Sequence, residues 1–186
     1  MRLVKETREP IPASKNHPER VDYEYERNGT ATVFMFREPL GGWRSATVRK
    51  QQTKLDWARE VAALPEPGGL YSECEQVTLV CDNLNTHTRG AFHEAFEPEG
   101  ARRFVRRINF CYTPERGSWL SVAEYELTCL TEQCVRGCRI GTTEELRSET
   151  AAWSVATNTK QRGVDWQSQV DDARVKLKSL YPEIKQ

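Results

Sequence analysis

The sequence has no excess of charge of either sign: 27 Lys and Arg balance 27 Asp and Glu over 186 residues. That balance excludes nucleic-acid binding by bulk charge and leaves only a local basic patch to do it. No run approaches the roughly 18–20 apolar residues that cross a bilayer. The opening Met1-Arg2-Leu3-Val4-Lys5-Glu6 is charged where a signal segment needs an apolar core. A soluble, cytoplasmic protein without a membrane partner is expected. No Cys-x-x-Cys pair occurs. The six cysteines are Cys74, Cys81, Cys111, Cys129, Cys134 and Cys138. Several lie in apolar runs, where a thiol behaves as a small hydrophobe, so reduced core cysteines are expected. A zinc site is the alternative, with Cys134 and Cys138 one helical turn apart and His87 and His93 as partners. Nothing in the sequence pairs them. There is no internal repeat and no low-complexity tract, and the length suits one domain with its own core.

Residues 1–20 are polar, with Pro10, Pro12 and Pro18, and read as an extended arm without a core face. Alternation of Val21, Tyr23 and Tyr25 with Asp22, Glu24 and Glu26 predicts a strand. Asn28-Gly29 predicts a tight turn into a second strand over 32–36. Pro39-Leu40-Gly41-Gly42 leads to a third over 43–48, completing an antiparallel meander. A helix follows over 53–64, closed by Pro65 and the Pro67-Gly68-Gly69 break. Val77-Thr78-Leu79-Val80-Cys81 is almost wholly apolar, as in a strand buried on both faces of a parallel sheet. Short helices are expected over 89–96 and 98–107, with Pro98 suited to a first helical position. A short strand follows over 108–111 and a loop over 112–118. The remainder reads as helices. One carries Leu120, Ala123, Leu127, Leu130 and Cys134, one spans 143–158, and one spans 170–180. The order is that of a mixed α/β protein, organised as an arm (1–20), a core (21–140) and a helical extension of the same domain (141–186).

Three features carry chemistry. Asp82 follows the carboxyl end of the apolar strand, where ligand sites of open α/β sheets gather; an Asx turn with Asn83 is the plain alternative. Glu124 lies in the first turn of a helix. Ser121-x-x-Glu124 has capping-box spacing, so Glu124 is either a cap or a functional carboxylate. Arg102, Arg103, Arg106 and Arg107 fall along one side of a helix, with Arg116 in the next loop. They form either a phosphate-contacting face or a solvated one.

The combination is more specific than its parts. Asp82-Asn83-Leu84-Asn85-Thr86-His87 follows a buried strand, and Tyr112-Thr113-Pro114 with Gly117-Ser118-Trp119-Leu120 precedes the helix bearing Glu124. This order resembles the DDE transposases of bacterial insertion sequences in the mariner superfamily. The likeness runs from about Leu3 to Pro182. It includes the stretch from Asp22 to Thr30, Phe34-Met35-Phe36, and Lys176-Leu177-Lys178-Ser179-Leu180-Tyr181-Pro182.

The resemblance implies a ribonuclease-H-like fold, a mixed sheet flanked by helices, and DNA strand cleavage and strand transfer. It implies two Mg²⁺ or Mn²⁺ ions held by three carboxylates, of which Asp82 matches the second and Glu124 the third. Such ions, about 3.5–4 Å apart, activate the attacking oxygen and stabilise the leaving one. It implies DNA contacts from Arg102, Arg103, Arg106, Arg107 and Arg116. Asn83, Asn85, His87, Trp119 and Ser121 take supporting places. Ser121 stands where the family has Asn, a change that keeps a capping side chain. The family's first Asp precedes the stretch resembling Leu3-Val4-Lys5-Glu6-Thr7-Arg8, so by this alignment it and most of the opening strand fall before Met1. None of Glu6, Glu9, Glu19, Asp22, Glu24 and Glu26 has its context. The expectation is a catalytic-domain fragment, inactive alone unless an upstream polypeptide supplies that Asp. The alternative is a non-enzymatic relic that keeps the fold and weak DNA or partner binding. Partners implied are transposon-end and target DNA and a second copy of the chain.

Overall fold

The computed structural model describes residues 1–113, 122–160, 162–165, 171, 172 and 175. It is a mixed α/β structure. Among the described residues the strands pair as three two-stranded sheets rather than as one. The chain divides into two compact units.

The first unit comprises Met1–Arg37, Trp43–Gln52 and Glu126–Arg162. It opens with β1 (Arg2–Glu6), antiparallel to β2 (Tyr25–Thr30). The expected arm therefore begins as a strand. Leu3 is buried, and a single buried side chain on a five-residue strand gives too short a pattern to recognise. The tight turn expected at Asn28-Gly29 is also corrected. Both residues lie inside β2, where the register slips between Arg2 and Val4, and Gly29 has φ +99°. An extra residue in left-handed conformation makes a bulge, for which glycine is suited. Asn28 Nδ2 donates to Gly141 O at 2.7 Å, which fixes the bulge to the chain far downstream.

Strand β3 (Thr32–Glu38) pairs with β4 (Trp43–Arg49). Helix α5 (Thr143–Asn158) packs on β4. Thr142 caps that helix by accepting from Glu145 N at 3.1 Å, and Glu145 Oε2 accepts from Gly141 N at 2.9 Å. The stripe Leu146, Thr150 and Trp153 is buried, at the helical spacing the sequence shows. Leu3, Ala31, Val48, Ile140 and Leu146 form a core cluster with Val33 and Val135 against it.

The second unit comprises Glu38–Gly42, the described part of Thr53–Tyr125 and the described residues from Gly163 on. Helix α1 (Lys54–Ala62) starts at a capping box between Thr53 and Asp56 and buries Trp57, Ala58 and Val61. Strand β5 (Val77–Cys81) is followed by α2 (Gly90–Ala95), α3 (Pro98–Arg107) and β6 (Ile108–Tyr112). Strands β5 and β6 are parallel and in register, Val77 opposite Ile108 and Cys81 opposite Tyr112. The two short helices make the crossover that a parallel pair requires. Phe92, fully buried, stands among Trp57, Phe96, Phe104 and Phe110 with ring centroids 5.7–6.3 Å away.

Burial of β5 on both faces is not observed. Its exposure alternates, and Val80 is 59% exposed. One face of the pair carries the buried Ile108 and Phe110, and Asn109 and Cys111 on the other are exposed. An apolar run alone does not distinguish one covered face from two.

Helix α4 (Val122–Leu130) continues into a π-helical turn, Thr131–Val135. The division between the units falls within α4, after Tyr125. The helix expected over 170–180 lies, apart from Asp171, Asp172 and Val175, outside the described residues. No helix among the described residues is long and apolar enough to cross a membrane.

Candidate active site

Asp82 directly follows β5. Thr113 N donates to Cys81 O at 2.9 Å, so the pairing of the parallel strands runs one step past their ends. Both strands thus end at the same edge, the carboxyl edge, where helix-covered sheets place ligand sites. Asp82 does not spend its carboxylate on an Asx turn. Its Oδ1 accepts from His87 Nδ1 at 2.5 Å, and the loop is closed instead by His87 N donating to Leu84 O at 2.9 Å. The His87 ring stacks on Trp57 with centroids 5.0 Å apart and planes 19° apart. The side chains of His87 and Asp82 are 15% and 36% exposed, which grades from a covered imidazole to an accessible carboxylate. Asn83 and Asn85 are exposed. Trp57 is the member of this group that sequence reasoning missed. It reads only as one more apolar residue on the inner face of α1.

Glu124 is in the first turn of α4 and is exposed. Ser121, which would complete its capping box, lies outside the described residues, as do Trp119 and Arg116. Two positions along α4, in the first unit, Glu126 is buried between two arginines. Arg44 Nε is 2.8 Å from Glu126 Oε2 and Arg37 Nε is 3.1 Å from Oε1. Both guanidinium groups are almost fully covered, at 3% and 4% exposure. The Arg44 backbone is held as well: its N donates to Asn158 Oδ1 at 2.9 Å, and Asn158 Nδ2 donates to Arg44 O at 2.8 Å. Neither Arg37 nor Arg44 was signalled by local sequence.

The four arginines of α3 separate into two kinds. Arg107 is engaged by backbone carbonyls: its guanidinium donates to Pro65 O at 2.8 Å, Tyr71 O at 3.2 Å, Ser72 O at 2.9 Å and Cys74 O at 2.5 Å. It closes the 65–74 loop onto α3. Arg103 pairs with Glu66 at 2.7 Å on the surface. Arg102 and Arg106, four apart and therefore on one side of the helix, are exposed.

The cysteines are free, as expected, but not core residues. Cys74, Cys111, Cys129 and Cys138 are exposed, and Cys81 and Cys134 are partly covered. Burial, then the neighbouring charges of Asp82 and Cys111, push the Cys81 thiol up to about 11. It is therefore a protonated thiol beside Asp82, with little thiolate to offer as a nucleophile.

Asp82 and Glu124 offer oxygen donors of the kind that hard divalent cations take. Among the described residues, however, no group of three or more His, Cys, Asp or Glu is placed to hold a metal ion. The described residues alone therefore complete neither the divalent-ion centre nor the zinc site of the alternative reading. A family profile described as DDE superfamily endonuclease matches residues 2–147. No curated protein and no solved structure matches the chain.

Proposed function

The chain belongs to the DDE superfamily of endonucleases, and from that premise we propose that it is the catalytic core of a cut-and-paste DNA transposase of the bacterial insertion-sequence, mariner-like type. DDE endonuclease domains act on DNA, and the superfamily generally uses divalent metal ions. In this reading the strands belong to a ribonuclease-H-like plan. Asp82 and Glu124 are two carboxylates of the reaction centre, and Arg102 and Arg106 meet phosphates. The reaction is phosphoryl transfer, cleaving and joining DNA strands, on a dimer that pairs two transposon ends.

The observation that carries this reading is the position of Asp82. It stands at the carboxyl edge of an in-register parallel pair, half-exposed, and at the edge from which the chain leaves β6 toward the helix of Glu124. Two carboxylates hold one ion loosely, and one ion cannot clamp both the attacking and the leaving oxygen. A third carboxylate, from outside the described residues, belongs to the complete centre.

The test is Mn²⁺ binding to the whole chain, read by paramagnetic broadening of the Asp82 and Glu124 side-chain signals, beside nicking of supercoiled plasmid DNA. Both signals are expected to broaden, and Asp82→Asn is expected to weaken Mn²⁺ binding about tenfold, the loss of one charge-assisted ligand. If neither carboxylate senses Mn²⁺, the reading is wrong. The same measurements address a second reading. It is a non-enzymatic member that keeps the fold and binds DNA weakly. Salt-dependent DNA binding without Mn²⁺ broadening at Asp82 is its signature.

A further inference from the structure

Asp82 is only partly covered, so its surroundings alone do not fix the plane of its carboxylate. Its contact with His87 does, and the His87 ring is fixed in turn. A carboxylate accepts only, so the imidazole Nδ1 carries the proton and donates to Oδ1. An imidazole has two rotatable bonds. One ring face lies on the indole of Trp57 at 5.0 Å, nearly parallel, which sets the ring plane. Trp57 is itself 4% exposed, edge-on to Phe92 at 5.7 Å and tilted against Phe110 at 6.0 Å. Constraint therefore passes from the aromatic core to an accessible carboxylate in two contacts.

We propose that Trp57 and His87 are positioning residues that hold the Asp82 carboxylate in one orientation, Trp57 by stacking on the imidazole and His87 by donating to Oδ1. The proposal rests on the reading of Asp82 as a carboxylate of the reaction centre. The hydrogen bond engages Oδ1, and the proposal assigns Oδ2 to a cation or a reacting group. A plain space-filling role for His87 would not require its polar nitrogen to be aimed at a half-exposed acid. Orientation matters in such a centre because a misplacement of about 1 Å costs on the order of a hundredfold in rate. Histidine and carboxylate partners commonly fix one another in this way around reactive groups.

The test uses the whole chain, metal-free, with ¹⁵N-labelled histidine and ¹³C-labelled aspartate carboxyls. His87 Nδ1–H is expected as a slowly exchanging downfield proton, absent in Asp82→Ala. In Trp57→Leu that proton is expected to be lost to exchange and the Asp82 carboxyl resonance to shift. A folded Trp57→Leu with both signals unchanged overturns the role of Trp57. Trp57 is a core residue, so a second pair keeps the question open to refutation if that variant does not fold. His87→Phe keeps the stack and removes the donor; His87→Asn keeps a donor and removes the stack. The Asp82 carboxyl resonance is expected to move in both. A wild-type resonance in His87→Asn shows that stacking is dispensable and overturns the relay, and a wild-type resonance in His87→Phe overturns the hydrogen bond. Adding Mn²⁺ to the wild-type chain separates the two claims. Broadening at Asp82 with a wild-type resonance in His87→Asn leaves the active-site reading standing and removes the relay. An intact relay with no Mn²⁺ effect at Asp82 does the reverse.

Discussion

Replacing Glu126 by Gln removes an anion held between two covered cations. Arg37 Nε and Arg44 Nε lie 3.1 and 2.8 Å from its carboxylate. Unit charges about 4 Å apart attract by roughly 4 kcal/mol at the effective dielectric of about 20 that suits partly buried pairs. Neutralising Glu126 loses that attraction twice. The guanidinium groups keep part of their solvation by other routes, since Arg37 donates to Trp43 O and Arg44 to Arg162 O. Arg44 Nη1 is buried with no hydrogen-bond partner among the described residues, so Arg44 has little further compensation. The expected cost is the about 3–5 kcal/mol typical of breaking a buried pair by removing one partner. For a chain of this size that is a fall in Tm of roughly 6–20 °C. The assay is urea unfolding followed by far-ultraviolet circular dichroism at low and high salt. Salt is expected to change the loss little, because covered pairs are poorly screened. The pair Glu126→Leu with Arg44→Met should cost less than Glu126→Gln alone, since it removes opposite charges together. A loss below about 1 kcal/mol for Glu126→Gln, or a double substitution worse than the single one, would refute this account.

Arg107→Ala is expected to destabilise by about 2–4 kcal/mol, because several loop carbonyls lose a charged donor at once, and to leave the salt dependence of DNA binding unchanged. Arg102→Glu with Arg106→Glu should do the opposite, flattening the slope of log K against log salt by about 2 with little effect on unfolding; an equal response from Arg107 would undo the division of the helix into two kinds of arginine. Burial and then the charge of Glu38, which also accepts its hydrogen bond, push the Tyr71 hydroxyl up to about 12. A phenol whose folded value lies above its unfolded one stabilises below the unfolded value of about 10 and loses that contribution as pH rises toward 12. Absorbance at alkaline pH should show Tyr71 ionising last or only with unfolding, and Glu38→Gln should bring it down. Gly69→Ala would place a Cβ 2.2 Å from Ala63 O and 2.5 Å from Leu64 O, both backbone atoms. Unfolding by chemical denaturant should show a loss of at least about 1–3 kcal/mol, as for other overpacked sites.

Local pattern carried the sequence reading where the physics is local. The Pro65 break after α1, Pro98 at the start of α3 and the stripe Leu146, Thr150 and Trp153 all act within a turn or two, and the helices appear where they predict. The turn dipeptide Asn28-Gly29 misled because left-handed glycine serves a bulge as well as a turn, and only the partner strand decides which. Arg44 and Glu126 are 82 positions apart, and nothing near either one announces the other. Exposed arginines and arginines closing a loop look alike in one dimension, so Arg107 was grouped with Arg102 and Arg106. Asp82 was legible because its chemistry depends on an abrupt change from apolar strand to polar loop. The support behind it was not, because Trp57 reaches it from another element and through another residue.

The hydrogen bond from Val4 N to Ile140 O, 2.9 Å long, joins the start of the described chain to a point late in it. Its consequence concerns the order of events during synthesis. The second unit holds β5, α2, α3 and β6 in one continuous stretch, so their contacts can close while the chain is still being made. The first unit cannot. Its strands β1 to β4 emerge first, yet Ile140, Leu146 and helix α5, which complete their core, follow only after the whole of Thr53–Tyr125 has been added. At roughly 5–20 residues per second, the nascent chain carries those strands half-made for several seconds. Strands made before the stretch that forms β5 to β6 thus complete their core only after it, and in that interval the open edges of β1 to β4 are the ones a chaperone would have to shield.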